Sequence, residues 1–145
     1  MGSFSYGLCL DFIPLVSGNK LRYFRTEKSS RALLTFSGRS TIISQWVEDD
    51  VKQSITKAIK ADIKRIEKSL NSIHSLEDAR KIAIQNMKSD DVYFIYPSPF
   101  YVLAFLEAKG GNVEKGLELL EKYFSISNEK ENIREMLISK LINLK

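Results

Sequence analysis

The sequence predicts an α+β fold: a small N-terminal antiparallel β-meander packed against four to five α-helices, ending in a helical hairpin and a final helix. Three observations predict it. Residues 5–37 alternate apolar and polar side chains, with turn signals between the runs. From Val51 onward, apolar residues recur at spacings of three and four. Residues 98–145 carry a serine-proline helix start and a glycine-glycine helix stop, followed by two further amphipathic runs. The division falls near residue 47, with 1–47 mainly β and 48–145 mainly α, and a chain of 145 residues is the length of a single domain.

The first strand runs from Tyr6 to Val16, with Leu8, Leu10 and Phe12 on one face and Cys9 and Asp11 on the other. Pro14 marks an edge or a strand end, because proline cannot donate to a ladder. Ser17-Gly18-Asn19-Lys20 is a turn. Leu21 to Thr26 alternates again, Glu27 to Ser30 turns, and Arg31 to Ser37 returns through Leu33, Leu34 and Phe36. Residues 41–47 (TIISQWV) fit either a fourth strand or the approach to a helix.

The first helix carries Val51, Ile55, Ile59, Ile63, Ile66, Leu70 and Ile73 as a stripe, with Glu48, Asp49 and Asp50 at its positive end. Lys57, Lys60, Lys64 and Lys68 line another side. A solvated face interrupted by Asp62 and Glu67 is the plain reading of that line. Ser75 and Asp78 predict a capped start for a helix from Leu76 to about Lys88, with Ala79, Ile82, Ala83 and Met87 inward. Residues 92–97 (VYFIYP) predict a buried strand or an extended connector. Tyr93 and Tyr96 there are the aromatic candidates for a recognition surface.

Ser98-Pro99 then opens the hairpin, and Phe100, Leu103 and Leu106 carry its first helix to Lys109. Gly110-Gly111 stops it and Asn112 caps the next helix. Val113, Gly116, Leu117, Leu120, Tyr123 and Phe124 form that helix's buried stripe, and Gly116 sits where only a small residue lets the helices approach. A last helix starts near Glu129, with Ile133, Met136, Leu137, Leu141 and Leu144 at helical spacing.

Composition bounds function. The chain is 43% hydrophobic and 28% charged, as in an ordinary globular protein. No apolar run approaches the roughly 18 residues that span a bilayer, so a membrane partner is not expected. The N-terminus has neither a signal-peptide pattern nor, with Tyr6 where serine or threonine is wanted, a myristoylation pattern. One cysteine suggests a reducing compartment, and a cytoplasmic location is expected. The formal net charge is +4, and residues 1–47 alone hold six basic and two acidic residues. Lys20, Arg22, Arg25 and Arg31 in that segment are the candidates for a nucleic-acid surface. The competing reading is strand edges protected by charge.

No catalytic or metal residue emerges. His74 is the only histidine and has no second soft ligand in the chain beyond Cys9, which excludes structural zinc on ligand count. Cys9 in an apolar strand reads as a small core residue. Asp49-Asp50 and Asp90-Asp91 sit at helix boundaries, where capping explains them. No phosphate loop, nucleophile elbow or H-E-x-x-H helix is present. The expectation is a protein that is not an enzyme and uses no cofactor.

The segment GNVEKGLELLEKYF resembles the second helix of a tetratricopeptide-type repeat, but no second copy follows, and an ordinary antiparallel helix pair accounts for it. The whole layout resembles that of small immunity proteins of bacterial contact-dependent and polymorphic toxin systems, with Trp46-Val47-Glu48-Asp49 and GNVEKGLELLEKYF as local anchors. That resemblance implies a cytoplasmic protein that binds a cognate toxin domain and blocks its active site or its access to substrate. Inhibitors of nuclease toxins are commonly acidic, whereas this chain is +4. A nuclease partner therefore requires a local acidic patch, for which Glu114, Glu118 and Glu121 are the candidates. The alternative is a nucleic-acid-binding accessory domain using the basic N-terminal sheet.

Overall fold

The computed structural model describes residues 2–4, 7–23, 34–35, 41–43, 51–90, 92 and 97–144. They form six short strands and five helices, the α+β class with the β part first. The strands are β1 (Gly2–Phe4), β2 (Gly7–Leu8), β3 (Leu15–Ser17), β4 (Lys20–Arg22), β5 (Leu34–Thr35) and β6 (Thr41–Ile43). The helices are α1 (Val51–Leu70), α2 (Leu76–Met87), α3 (Pro99–Lys109), α4 (Val113–Ile126) and α5 (Glu131–Ile142).

The predicted Tyr6–Val16 strand is broken between Leu8 and Leu15, and among the described residues the strand pairing is nested. A meander pairs each strand with the next. Here β3 pairs β4, β2 pairs β5 and β1 pairs β6, all antiparallel, so one long arm folds back on another around a central hairpin. Gly18 and Asn19 make the two-residue turn of that hairpin. Gly18 has φ +63°, the positive first position of a type II′ turn, whose twist suits the flanking strands. Pro14 lies just before β3, as a strand-end proline should, and its carbonyl accepts a hydrogen bond from the Tyr101 hydroxyl. Lys130 Nζ donates to Asn19 Oδ1 at 2.8 Å, holding the hairpin turn against the start of α5.

Of residues 41–47, Thr41–Ile43 form a strand, and 44–50, including Trp46 to Asp50, lie outside the described residues. So do 93–96.

The core is built around α3. Every residue from Pro99 to Ala108 is buried, including Glu107. A helix apolar on all sides must be enclosed on all sides. Here α4 covers one flank, α2 another, and α5 touches a third. The first helix position, Pro99, is as predicted, but Ser98 makes no capping hydrogen bond, and its buried hydroxyl has no partner among the described residues. Gly111, at φ +93°, closes the helix, and Asn112 caps α4 by accepting from the Lys115 amide at 3.2 Å. Gly116, Leu119, Leu120 and Phe124 form the buried stripe of α4, with Val113, Leu117 and Tyr123 partly buried. Ile133, Leu137 and Leu141 seat α5, while Met136 is exposed.

At the start of α2, Ser75 Oγ accepts from the Asp78 amide at 3.2 Å. The Asp78 carboxylate accepts from the His74 amide and the Ser75 hydroxyl, both at 3.0 Å. These bonds, the His74 amide first, hold the Asp78 carboxyl below its ordinary pKa. Ile13 and Leu15 carry the β part into the core, with Leu8, Leu10 and Phe12 packed against it. Cys9 is exposed, which corrects its reading as a core residue. Alternation opposite Leu8 and Leu10 decides its direction, and its apolar character does not.

Candidate functional site

The helical half carries a groove of about 420 Å³ between α2, α3 and α4. Its floor is apolar: Ile84 and Met87 from α2, Leu103 from α3 and Leu119 from α4. Its rim is charged: Arg80, Glu107, Lys115, Glu118 and Lys122. The helix periods explain the placement. Arg80, Ile84 and Met87 follow one another at four and three residues, as do Lys115, Glu118 or Leu119, and Lys122, so each set occupies one face of its helix.

Glu107 anchors the rim. Arg80 Nε donates to its Oε1 at 2.7 Å, and Arg80 also reaches Glu77 at 3.5 Å. The hydrogen bond and charge of Glu107 raise the Arg80 pKa. The Glu107 side chain is 9% exposed and that of Arg80 is 37%. Removing the arginine therefore strands a nearly buried carboxylate, while removing the carboxylate returns a half-exposed guanidinium to water. Arg80→Met is expected to lower the unfolding free energy by about 1–2 kcal/mol, a value below that of a fully buried pair because water reaches the arginine. Glu107→Leu in the Arg80→Met background should recover most of it. Denaturant midpoints of the two single variants and the double variant check this, and simple additivity would contradict it.

Across the groove, Lys115 Nζ donates to Glu118 at 2.8 Å, and that bond raises the lysine pKa. Lys122 lies over the Phe100 ring, 5.1 Å from its centre. Glu114, Glu118 and Glu121 are all exposed on the outer face of α4, and Glu118 belongs to both that face and the groove rim. Of the residues the sequence nominates, Glu118 alone lines the groove; Glu114 and Glu121 share its exposed helix face without lining it. Lys20 and Arg22 stand exposed on β4 and do not line the groove. Arg25, Arg31, Tyr93 and Tyr96 lie outside the described residues.

Sequence reasoning misses Arg80, Glu107 and Lys122 as site residues and takes Met87 only as an inward residue. One signal exists: Glu107 is the single acidic residue in the run PFYVLAFLEAK, and a carboxylate within a wholly apolar helix demands a partner. Its partner, 27 residues earlier, leaves no local trace. Among the described residues, no group of three or more His, Cys, Asp or Glu side chains converges as metal ligands would. What the arrangement offers is recognition chemistry: an apolar floor that accepts an apolar side chain, and charges of both signs that orient what enters. The chain matches no protein-family model, no curated protein and no solved structure.

Proposed function

We propose that this chain acts by binding another protein through the groove between α2, α3 and α4 and the adjoining glutamate face of α4. The observation that carries the reading is the apolar floor opening beside Glu118, which shares an exposed helix face with Glu114 and Glu121. An apolar centre with a charged rim is the anatomy of a protein-binding patch. The resemblance in layout to bacterial immunity proteins supplies the finer statement: an inhibitor, cytoplasmic in location, that occludes the active site of a cognate toxin domain. Glu114 and Glu121, exposed beside the Lys115-paired Glu118, are the carboxylates that a basic toxin would meet on a chain of net charge +4.

Co-expression tests it. A toxin domain encoded beside this chain should arrest growth alone and be neutralised by the wild-type chain. The variants Met87→Asp, in the floor, and Glu114→Lys/Glu118→Lys/Glu121→Lys, on the face, should fail to protect although they fold. Protection by both variants at wild-type level would refute the groove as the binding site, and absence of protection by the wild type would refute the inhibitor reading.

A further inference from the structure

The first helix presents an apolar stripe that the body does not cover. Its body-facing side is marked by Ser69, which is 4% exposed, and by the half-buried Ala58, Asp62 and Ile66. At about 100° per residue these four fall within one quarter-turn or so of the helix. Ile59, Ile63 and Leu70 fall together beside that side and are 39%, 41% and 36% exposed. Next round the helix come Lys60, Lys64, Lys57 and Lys68, all exposed. Asp62 does not interrupt this lysine face. It is turned toward the body and bonded to Arg65 at 2.7 Å. Only Glu67 borders it.

The helix α1 holds six basic and two acidic residues, a net +4 equal to that of the entire chain. Apolar ridge and cationic face lie side by side on the solvent side of a helix 20 residues long. We infer that α1 is a docking helix for an anionic lipid bilayer surface, its Ile59, Ile63 and Leu70 ridge entering the headgroup boundary and its lysines meeting lipid phosphates. A low mean hydropathy, a lysine-rich polar face and an apolar stripe of large side chains are the features of helices that lie in that plane. Charge complementarity selects the occupant. A second copy of the chain would set +4 against +4, and a nucleic acid would engage the lysines and leave the isoleucine ridge in water. Lying on a bilayer is compatible with the absence, among the described residues, of any helix long and apolar enough to cross one.

Sedimentation of the full chain with vesicles tests the inference. Vesicles containing phosphatidylglycerol should carry the protein down at low salt, and pure phosphatidylcholine vesicles should not. Ile59→Ser/Ile63→Ser and Lys60→Glu/Lys64→Glu should each weaken the partition by about tenfold or more. All four side chains are exposed, so the variants keep their circular dichroism. Met87→Asp, in the groove, should partition like wild type, which separates this surface from the protein-binding one. No partition into anionic vesicles, equal partition into neutral ones, or an isoleucine variant that binds like wild type would overturn the proposal. So would retention on mixed oligonucleotides that excludes vesicles, or a dimer that the isoleucine variant abolishes.

Discussion

Phe105→Ala is expected to lower the unfolding free energy by about 3–5 kcal/mol. Phe105 is 0% exposed at the middle of α3, with the Tyr101 ring 5.1 Å away at a 53° tilt. Because α3 is enclosed by α2, α4 and α5, no neighbour can collapse into the space without leaving another contact. Both the lost transfer energy and the residual cavity are therefore felt in full. A domain of this size is stable by roughly 5–15 kcal/mol, so the variant should melt about 10–15 °C lower. Ile126→Ala is the control: Ile126 is 46% exposed, and its loss should stay within about 0.5 kcal/mol. Thermal melts of the two variants check the pair of values. A Phe105→Ala protein within about 1 kcal/mol of wild type would mean that α3 is not the centre of the core.

Gly116→Val should cost about 3 kcal/mol, and Gly116→Ala about 1–2 kcal/mol. A Cβ at Gly116 would stand 2.8 Å from the Ala104 carbonyl oxygen, 3.2 Å from Ala108 Cβ and 3.3 Å from Leu141 Cδ2. The nearest of these is main chain within a buried helix and cannot swing aside, so α3 and α4 must move apart. In an exposed helix the same alanine would gain about 1 kcal/mol in propensity, which offsets part of the clash. Valine loses that advantage and adds two methyl groups to the contact. Gly111 provides the contrast. Nothing lies within 4 Å of its Cβ position, but its φ is +93°, so Gly111→Ala meets backbone strain alone. Equilibrium denaturation of these three variants gives the order. A Gly116→Ala protein more stable than wild type would contradict the close helix approach.

Much of this architecture is written in local signals. Pro99, Gly110-Gly111 and Asn112 act within a few residues of themselves, and they place α3 and α4 to within a residue. Gly116 is legible for a similar reason, since a glycine inside an otherwise strong helix implies a close neighbour. Strand pairing is different. A period of two marks Leu8 and Leu34 as strand residues without saying that they face each other, and the nested order depends on contacts across the chain. Periodicity likewise shows that α1 has an apolar side, while the rotation that leaves Ile59 and Ile63 outside is a tertiary fact. The candidate site divides along the same line. Glu118 follows from its position on α4, whereas the Arg80–Glu107 pair joins two helices that the sequence treats separately. Cys9 shows the converse error, in which residue type outweighed the better evidence of alternation.

We propose that the α2–α3–α4 groove and its glutamate face bind a protein toxin domain, and one measurement decides it. That measurement is titration calorimetry with a purified candidate toxin domain. An equimolar complex is expected, which Met87→Asp and the triple glutamate reversal each weaken by about tenfold to a hundredfold, or roughly 1.4–2.7 kcal/mol. Lys60→Glu/Lys64→Glu on α1 should leave its affinity unchanged. A complex equally tight with all three variants, or no complex with the wild-type chain, would contradict it.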